Sequence, residues 1–404
     1  MKILLATYFV VPHTGGVWNY MVQLRKELES LGHEVDLLGQ EHNFIYIVNK
    51  NRRVEKEKLI PLVNERLSKH KDPSIFSDSF IKRYEFLRHL YEIGVNQIGL
   101  QHYDLIHTQD VISTAAINKI RPLGTPLVAS LHGSVAHELK HFHIKKSPTS
   151  HLAWKYFDNL EFEGATAAEC TIVANSWLKK KLNNEYKVPN EQIKVLHYGY
   201  DTITFLKRTK AVSPIKPPVN KKVIIYSGRL VELKGIQYLL SSLHQLKSLR
   251  NDWICWIVGD GYMMESLKLK TNELGLEKEV IFWGNRDDVP YLLTLSDIFI
   301  LPSIFENQPL SVIEAQIAGK AAIVSDAGGL PDMVKHGVTG LITKAGDSNK
   351  LCTNINYLLE HDEFRKKLGS NAQQWGLSHW SQEKAIKNLL DVYQSSISKK
   401  TNKK

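Results

Sequence analysis

The three cysteines of this 404-residue chain, Cys170, Cys255 and Cys352, form no C-x-x-C pair and cannot all pair with one another. That excludes a disulfide scaffold and suits a reducing compartment. No apolar run reaches the roughly 18 residues needed to span a bilayer. The opening MKILLATYFVVP has a lysine and an apolar run, but no small-x-small cleavage site follows, so it reads as a first β-strand rather than a leader. These absences set the expectation of a cytoplasmic protein. The glycine loop PHTGGVW lacks the G-x-G-x-x-G spacing of a dinucleotide fold. No interleaved basic and aromatic motif appears, so nucleic acid is not expected as a partner. There is no evident lysine motif for pyridoxal phosphate and no D-x-D-type run near a strand end in the first half. Neither cofactor nor metal is therefore expected.

What is present is positive charge. The formal net charge is +10, with clusters at HIKKSP, LKKKLNN, LKRTK and the tail KKTNKK. A solvated surface with a frayed tail accounts for these; attraction to anionic lipid headgroups or an acidic substrate is the sharper reading. The composition, 43% hydrophobic and 23% charged, is that of an ordinary globular protein, and the length allows two or three domains.

Short apolar strands alternate with amphipathic helices through both halves, which predicts α/β domains with parallel sheets. KILLATY, EVDLLG, DLIHTQ, PLVASLHG, TIVANS and KVLHYG read as strands of the first half. KVIIYSGR, WICWIVGDG, VIFWG, DIFILPS, AAIVSD and GLIT read as those of the second. The predicted organisation is two Rossmann-like domains facing across a cleft. The first covers 1–205, with a polar, helical, lysine-rich insertion at 41–103; a proline-rich linker follows at 206–221. The second covers 222–378, and a helix at 379–398 packs back across both. Each sheet is expected to hold about six strands, with ligands at their carboxyl ends where strand order reverses.

The stretch ENQPLSVIE places Glu306 and Glu314 eight residues apart around Pro309. SDIFILPS is a buried strand, so Glu306 falls on the loop at its end. Pro309 suits the first turn of a helix, LSVIEAQIA, that stops at Gly319. The N–H groups of Leu310 and Ser311 then lie at a helix start suited to phosphate. Carboxylates accept hydrogen bonds from vicinal hydroxyls, so paired acids around a phosphate site suit a sugar nucleotide. An acid favouring the helix dipole, with Glu314 simply exposed, is the bland alternative. YSGRLVELKG offers Arg229 and Lys234 as a fork and a point charge for a diphosphate. GDG (259–261) and GGLPD (328–332) follow two further strands. Gly15 and Gly16 would let the first half's backbone approach a phosphate, and His132 stands at a strand end in SLHGS.

Together these residues resemble the retaining glycosyltransferases of family 4, with the two-domain B-type fold (GT-B). The E-x7-E from Glu306 to Glu314, with GRLVELKG upstream and GGLPD downstream, carries the resemblance over most of the chain; it is weakest over 41–103. It implies that Glu306 holds donor-sugar hydroxyls and Glu314 the ribose hydroxyls. Arg229 and Lys234 would neutralise the leaving diphosphate with Gly16, and His132 would contact the transferred sugar. The loop at Gly284 and Asn285 would border the base. HYGYD at 197–201 departs from the family's N-G-V-D, keeping Gly199 and Asp201 but not the asparagine.

The implied donor is a nucleotide-diphosphate sugar, a UDP-sugar foremost, and the acceptor a carbohydrate or lipid-linked hydroxyl used in envelope or surface polysaccharide synthesis. A UDP-sugar epimerase on the same fold and a non-catalytic sugar-nucleotide-binding protein are the rival readings. Lysines and arginines set among Phe44, Phe80 and Phe86, with the HFHIKKSP segment, add the expectation of a peripheral contact with an anionic membrane, at the inner face.

Overall fold

The computed structural model describes residues 1–12, 16–48, 50–70, 76–140, 150–211, 213–216 and 218–401. The chain divides into two compact units, Met1–Leu196 with Ile386–Lys404, and His197–Ala385.

The first unit is built on an eight-stranded sheet. Its strands are β1 (Lys2–Val10), β2 (Glu34–Gln40), β3 (Phe44–Ile47), β4 (Arg52–Glu55), β5 (Leu105–Thr108), β6 (Leu127–Leu131), β7 (Cys170–Val173) and β8 (Ile193–Val195). Their order is β4-β3-β2-β1-β5-β6-β7-β8. Six strands run parallel, while β3 and β4 add to the β2 edge antiparallel. Sequence order reverses between β1 and β5. There the fully buried Asp110 ties the two strand ends together: one oxygen caps the helix Val111–Ile120 through Ser113 N at 2.7 Å, and the other accepts from Thr7 Oγ1 and Tyr8 N at 2.9 and 2.8 Å.

The segment 41–103 is not the wholly helical insertion the sequence suggested. It supplies β3, β4 and the helices Lys56–Ser68 and Ser79–Ile98, and the second helix buries Leu90, Tyr91, Val95 and Ile98 in the sheet's core. Its aromatic residues are not a bare apolar face either. Phe86 packs on that core, Phe80 lies edge-to-face against Phe157, and Arg53 sits over the Phe44 ring at 4.7 Å. The HFHIKKSP segment lies outside the described residues.

The second unit holds a six-stranded parallel sheet of β9 (Lys222–Ser227), β10 (Trp253–Val258), β11 (Val280–Gly284), β12 (Ile298–Leu301), β13 (Ala321–Ser325) and β14 (Gly340–Thr343). The order β11-β10-β9-β12-β13-β14 is that of a doubly wound sheet, with its reversal between β9 and β12. Central strands covered by helices on both faces read as unbroken apolar runs, and IFIL and WICWIV are buried at every position.

Two boundaries differ from the sequence reading. The chain passes from one unit to the other at Leu196–His197 rather than in 206–221. Residues Thr202–Arg208 form a helix capped by Asp201, and the buried Phe205 and Ile215 belong to the second unit's core, so the proline-rich stretch is anchored there rather than free. The chain returns at Ala385–Ile386, inside the helix Gln382–Thr401. Beyond Ile386 that helix contributes Leu389, Val392 and Tyr393 to a core shared with β1, β2 and β5, and Tyr393 Oη sits 2.7 Å from His107 Nδ1.

Candidate functional site

In the second unit, the loops leaving β9 and β12 flank the point of strand reversal. The β9 loop turns at Gly228 and carries Arg229 and Lys234. Tyr226, its ring fully buried, donates its hydroxyl to the Arg229 carbonyl at 2.8 Å, which fixes the turn. The β12 loop carries Ser303 and Glu306. Lys234 Nζ forms an ion pair with Glu306 Oε1, and Ser303 Oγ donates to the same oxygen at 3.2 Å. Glu306 is 8% exposed, so a carboxylate here needs these partners. Its backbone is fixed as well. The carbonyl accepts from Gly329 N at 3.1 Å, and Gly328, at φ +58°, lies so close that an added Cβ would stand 1.9 Å from that oxygen. The GGLPD turn is thus the backing plate of Glu306.

Pro309 occupies the N-cap of the helix Leu310–Ile317 rather than its first turn, and the helix ends before Gly319. Helix geometry leaves the Leu310 and Ser311 N–H groups without carbonyl partners in the helix. Glu314, one turn in, is not simply exposed: its Oε1 accepts the hydroxyl of Tyr200 at 2.7 Å. Burial raises its pKa above the ordinary carboxylate value, and the Tyr200 hydrogen bond opposes that shift.

Lys234 and Glu306 are therefore brought together, with Glu314 on the helix that follows. Arg229 is exposed on the lip of the β9 loop. Gly284 ends β11 at φ +64° with the exposed Asn285 next to it. The loop beyond is braced by an Arg286–Asp288 ion pair at 2.6 Å and by Ser213 Oγ on Asp288 at 2.6 Å.

The first unit carries the remaining predicted residues. Gly16 is exposed and opens the helix Gly16–Ser30, with nothing within 4 Å of a Cβ built on it. Gly15 lies outside the described residues. His132 follows β6 directly. Its Nε2 sits 2.9 Å from Gln109 Oε1, and its ring lies edge-to-face with Tyr20 at 5.0 Å. Burial pulls its pKa down to about 4, so the ring is neutral near pH 7. Below it His107 is held between Tyr393 Oη and Ser130 Oγ, at 2.7 and 2.8 Å.

Sequence reasoning missed Tyr200, Ser303 and Gln109. Ser303 lies three residues from Glu306 and was within reach of the motif. Tyr200 is 114 positions from Glu314 and Gln109 is 23 from His132, and no spacing rule joins either pair.

The profile described as Glycosyl transferases group 1 matches residues 207–375, and that of Glycosyltransferase Family 4 matches 14–203. An uncharacterised glycosyltransferase of Methanocaldococcus jannaschii is 24% identical over 97% of this chain and 98% of its own length. The UDP-Gal:α-D-GlcNAc-diphosphoundecaprenol α-1,3-galactosyltransferase of Escherichia coli is 27% identical over 78% of this chain and 80% of its own. Among solved structures, Anabaena Alr3699/HepE in complex with UDP aligns at TM-score 0.70 and 21% identity, covering 98% of this chain and all of that one. The sucrose-phosphate synthase of Thermosynechococcus elongatus aligns at TM-score 0.71 and 19% identity, covering 98% and 99%. With two parallel-sheet units of the GT-B type and both profiles matched in order along it, the chain belongs to the family 4 (group 1) glycosyltransferases.

Proposed function

We infer that this glycosyltransferase moves a sugar from a nucleoside-diphosphate donor, a UDP-sugar foremost, to a hydroxyl acceptor with retention of anomeric configuration. The observation that carries this is the Lys234–Glu306 pair at the strand reversal, a cation for a diphosphate held against an acceptor of hydroxyl hydrogen bonds. In this reading Glu306 orients the donor sugar and Glu314 takes the ribose hydroxyls. Gly284 and Asn285 border the base. Lys234 and Arg229, with the N–H groups of Leu310 and Ser311, stabilise the departing diphosphate. From the first unit Gly16 supplies close backbone approach, and His132, neutral at pH 7, acts as a hydrogen-bonding partner of the sugar rather than as an imidazolium acid.

The reaction breaks the bond from the anomeric carbon to the diphosphate oxygen and forms one to the acceptor oxygen on the same face. The acceptor's proton passes to the departing phosphate oxygen. An oxocarbenium-like centre forms between the two events. Charge neutralisation rests on cationic side chains and helix N–H groups, so no metal is assigned to the step.

A UDP donor is supported by the UDP-Gal specificity in the name of the Escherichia coli relative and by the UDP complex of the Anabaena protein. The diphosphoundecaprenol in the former's name supports a lipid-linked carbohydrate acceptor; use in envelope or surface polysaccharide synthesis at the cytoplasmic face is part of the same proposal. No helix among the described residues is long and apolar enough to cross a membrane. Peripheral contact with anionic lipid rests on the basic excess, most of which falls in the first unit, and on Ile60 and Leu62 exposed near Lys58 and Arg66.

The test is a thermal-shift screen of UDP-, GDP- and ADP-sugars on the purified protein, followed by incubation of the stabilising donor with and without candidate acceptors. Stabilisation by a UDP-sugar, with acceptor-dependent release of UDP, is expected. Conversion of the donor sugar without any acceptor would replace transfer by epimerisation, and indifference to all three nucleotides would overturn the donor reading.

A further inference from the structure

Tyr200 lies in HYGYD, between Gly199 and Asp201. In this chain its three parts are each held within the second unit. The backbone N–H donates to the Trp380 carbonyl at 2.9 Å, and Tyr200 forms a parallel bridge with Ser381. Its ring meets Phe205, itself 2% exposed, edge-to-face at 5.8 Å. The hydroxyl reaches Glu314 Oε1 at 2.7 Å. Two residues further along the same helix, Gln316 Oε1 accepts from Trp380 Nε1 at 2.7 Å, while Gln316 Nε2 donates to the Met333 carbonyl at 2.7 Å. Glu314 and Gln316 are thus gripped by neighbours that are themselves hydrogen-bonded to each other.

A glutamate side chain has three rotatable bonds, and its terminal torsion is broad. Left alone, its carboxylate would have to be ordered as a ligand arrives, at a cost in affinity. Here the phenol takes one lone pair of Oε1, fixes the carboxylate plane, and leaves Oε2 and the second Oε1 lone pair for incoming donors. Burial and the neighbouring carboxylate raise the phenol's pKa far above its ordinary value, so it remains a donor throughout the working range.

The geometry points to Tyr200 as the positioning residue of the ribose subsite: through its hydrogen bond to Glu314 it presets the carboxylate that selects a ribonucleotide over a nucleotide lacking the 2′- and 3′-hydroxyls. This rests on the assignment of Glu314 to the ribose. Tyr200→Phe keeps the ring and its contact with Phe205 and deletes the hydroxyl alone.

The experiment measures, by calorimetry, the affinity of four proteins for UDP and for its 2′,3′-dideoxy analogue: wild type, Tyr200→Phe, Glu314→Gln and the double variant. A charge-assisted hydrogen bond of this kind predicts about a tenfold loss of UDP affinity in Tyr200→Phe. Affinity for the dideoxy analogue should be nearly unchanged, so the ratio between the two ligands collapses. Because Tyr200 acts through Glu314, the double variant should bind UDP as Glu314→Gln does. Losses that multiply in the double variant, an unchanged ligand ratio in Tyr200→Phe, or tighter UDP binding in it would each overturn the positioning role while leaving Glu314 at the ribose. A wild-type protein that binds both ligands equally, or neither, would instead remove the Glu314 assignment and this inference with it.

Discussion

Gly328→Ala adds one methyl group behind Glu306 and tests whether the backing turn sets the site. Gly328 has φ +58°, and an alanine there incurs roughly 1–2 kcal/mol of backbone strain. The new Cβ would lie 1.9 Å from the Glu306 carbonyl oxygen and 3.0 Å from its carbon. An unstrained contact needs roughly 3.5 Å, so one of the two peptides must retreat by more than about 1 Å. Overpacking of this kind costs a further 1–3 kcal/mol or so. The sum, about 2–5 kcal/mol, should lower the unfolding midpoint of the second unit by roughly 5–15 °C. The retreat also draws Glu306 from Lys234 and Ser303, and a misplacement of about 1 Å can cost on the order of a hundredfold in rate.

Gly319→Ala is the matched control. Its φ is +71°, but the nearest atom to an added Cβ is Gln373 Nε2 at 3.5 Å, so strain acts alone there. It should unfold a few degrees earlier and turn over normally. Differential scanning calorimetry and nucleotide release from the donor found in the screen are the assays. Near-wild-type turnover in Gly328→Ala, or equal losses in the two variants, would refute the argument.

Lys234→Ala and Glu306→Gln should each reduce turnover by about two orders of magnitude, since in the proposed reading each strips a charge-assisted contact from the reacting end of the donor; steady-state kinetics on folded variants would show it, and normal rates in both would remove the pair from the chemistry. Glu161 is wholly buried in the first unit, with Ala136 N on one oxygen at 2.9 Å and no partner on the other. Burial lifts its pKa to about 8. The folded state therefore keeps a proton that the unfolded chain loses near pH 4–5, and stability is lost as pH rises from there towards 8. Glu161→Gln should match wild type near pH 4.5 and surpass it by a few kcal/mol at pH 8.5, read from denaturant melts; a pH-independent difference would contradict the buried acid. A chelator should leave transfer unchanged, and activity lost on chelation and restored by Mg²⁺ would require a metal in the step.

The central strands were legible because burial on both faces writes itself as an unbroken apolar run: IFIL, WICWIV and LIHT cannot be mistaken for surface. β3 and β4 were not, because they lie at an edge with one face partly open. Their sequences, FIYI and RRVE, alternate too briefly, and in β4 with too much charge, to stand out from helix-forming neighbours. The proline-rich stretch misled for a related reason. Proline and lysine content suggests a tether, yet Leu206 and Ile215 pack on the second unit's core and Ser213 donates to Asp288. Within the site, what was legible was what sits on one loop or one helix turn, such as Glu306 with Glu314. Contacts that depend on the chain returning from far away, such as Tyr200 on Glu314, leave no mark in local spacing.

The late return of the chain at Ile386 has a consequence for how the molecule is made. A ribosome delivers the second unit in one piece, from His197 to Ala385, but supplies Leu389, Val392 and Tyr393 of the first unit's core only afterwards. Until then His107 lacks its tyrosine partner, and the side chains of Leu5, Met21 and Leu37 face an incomplete wall. The half that was translated first therefore becomes native last. A nascent chain halted just short of Ile386 would hold the whole second unit, yet it would present an unfinished, apolar first-unit core to chaperones and proteases.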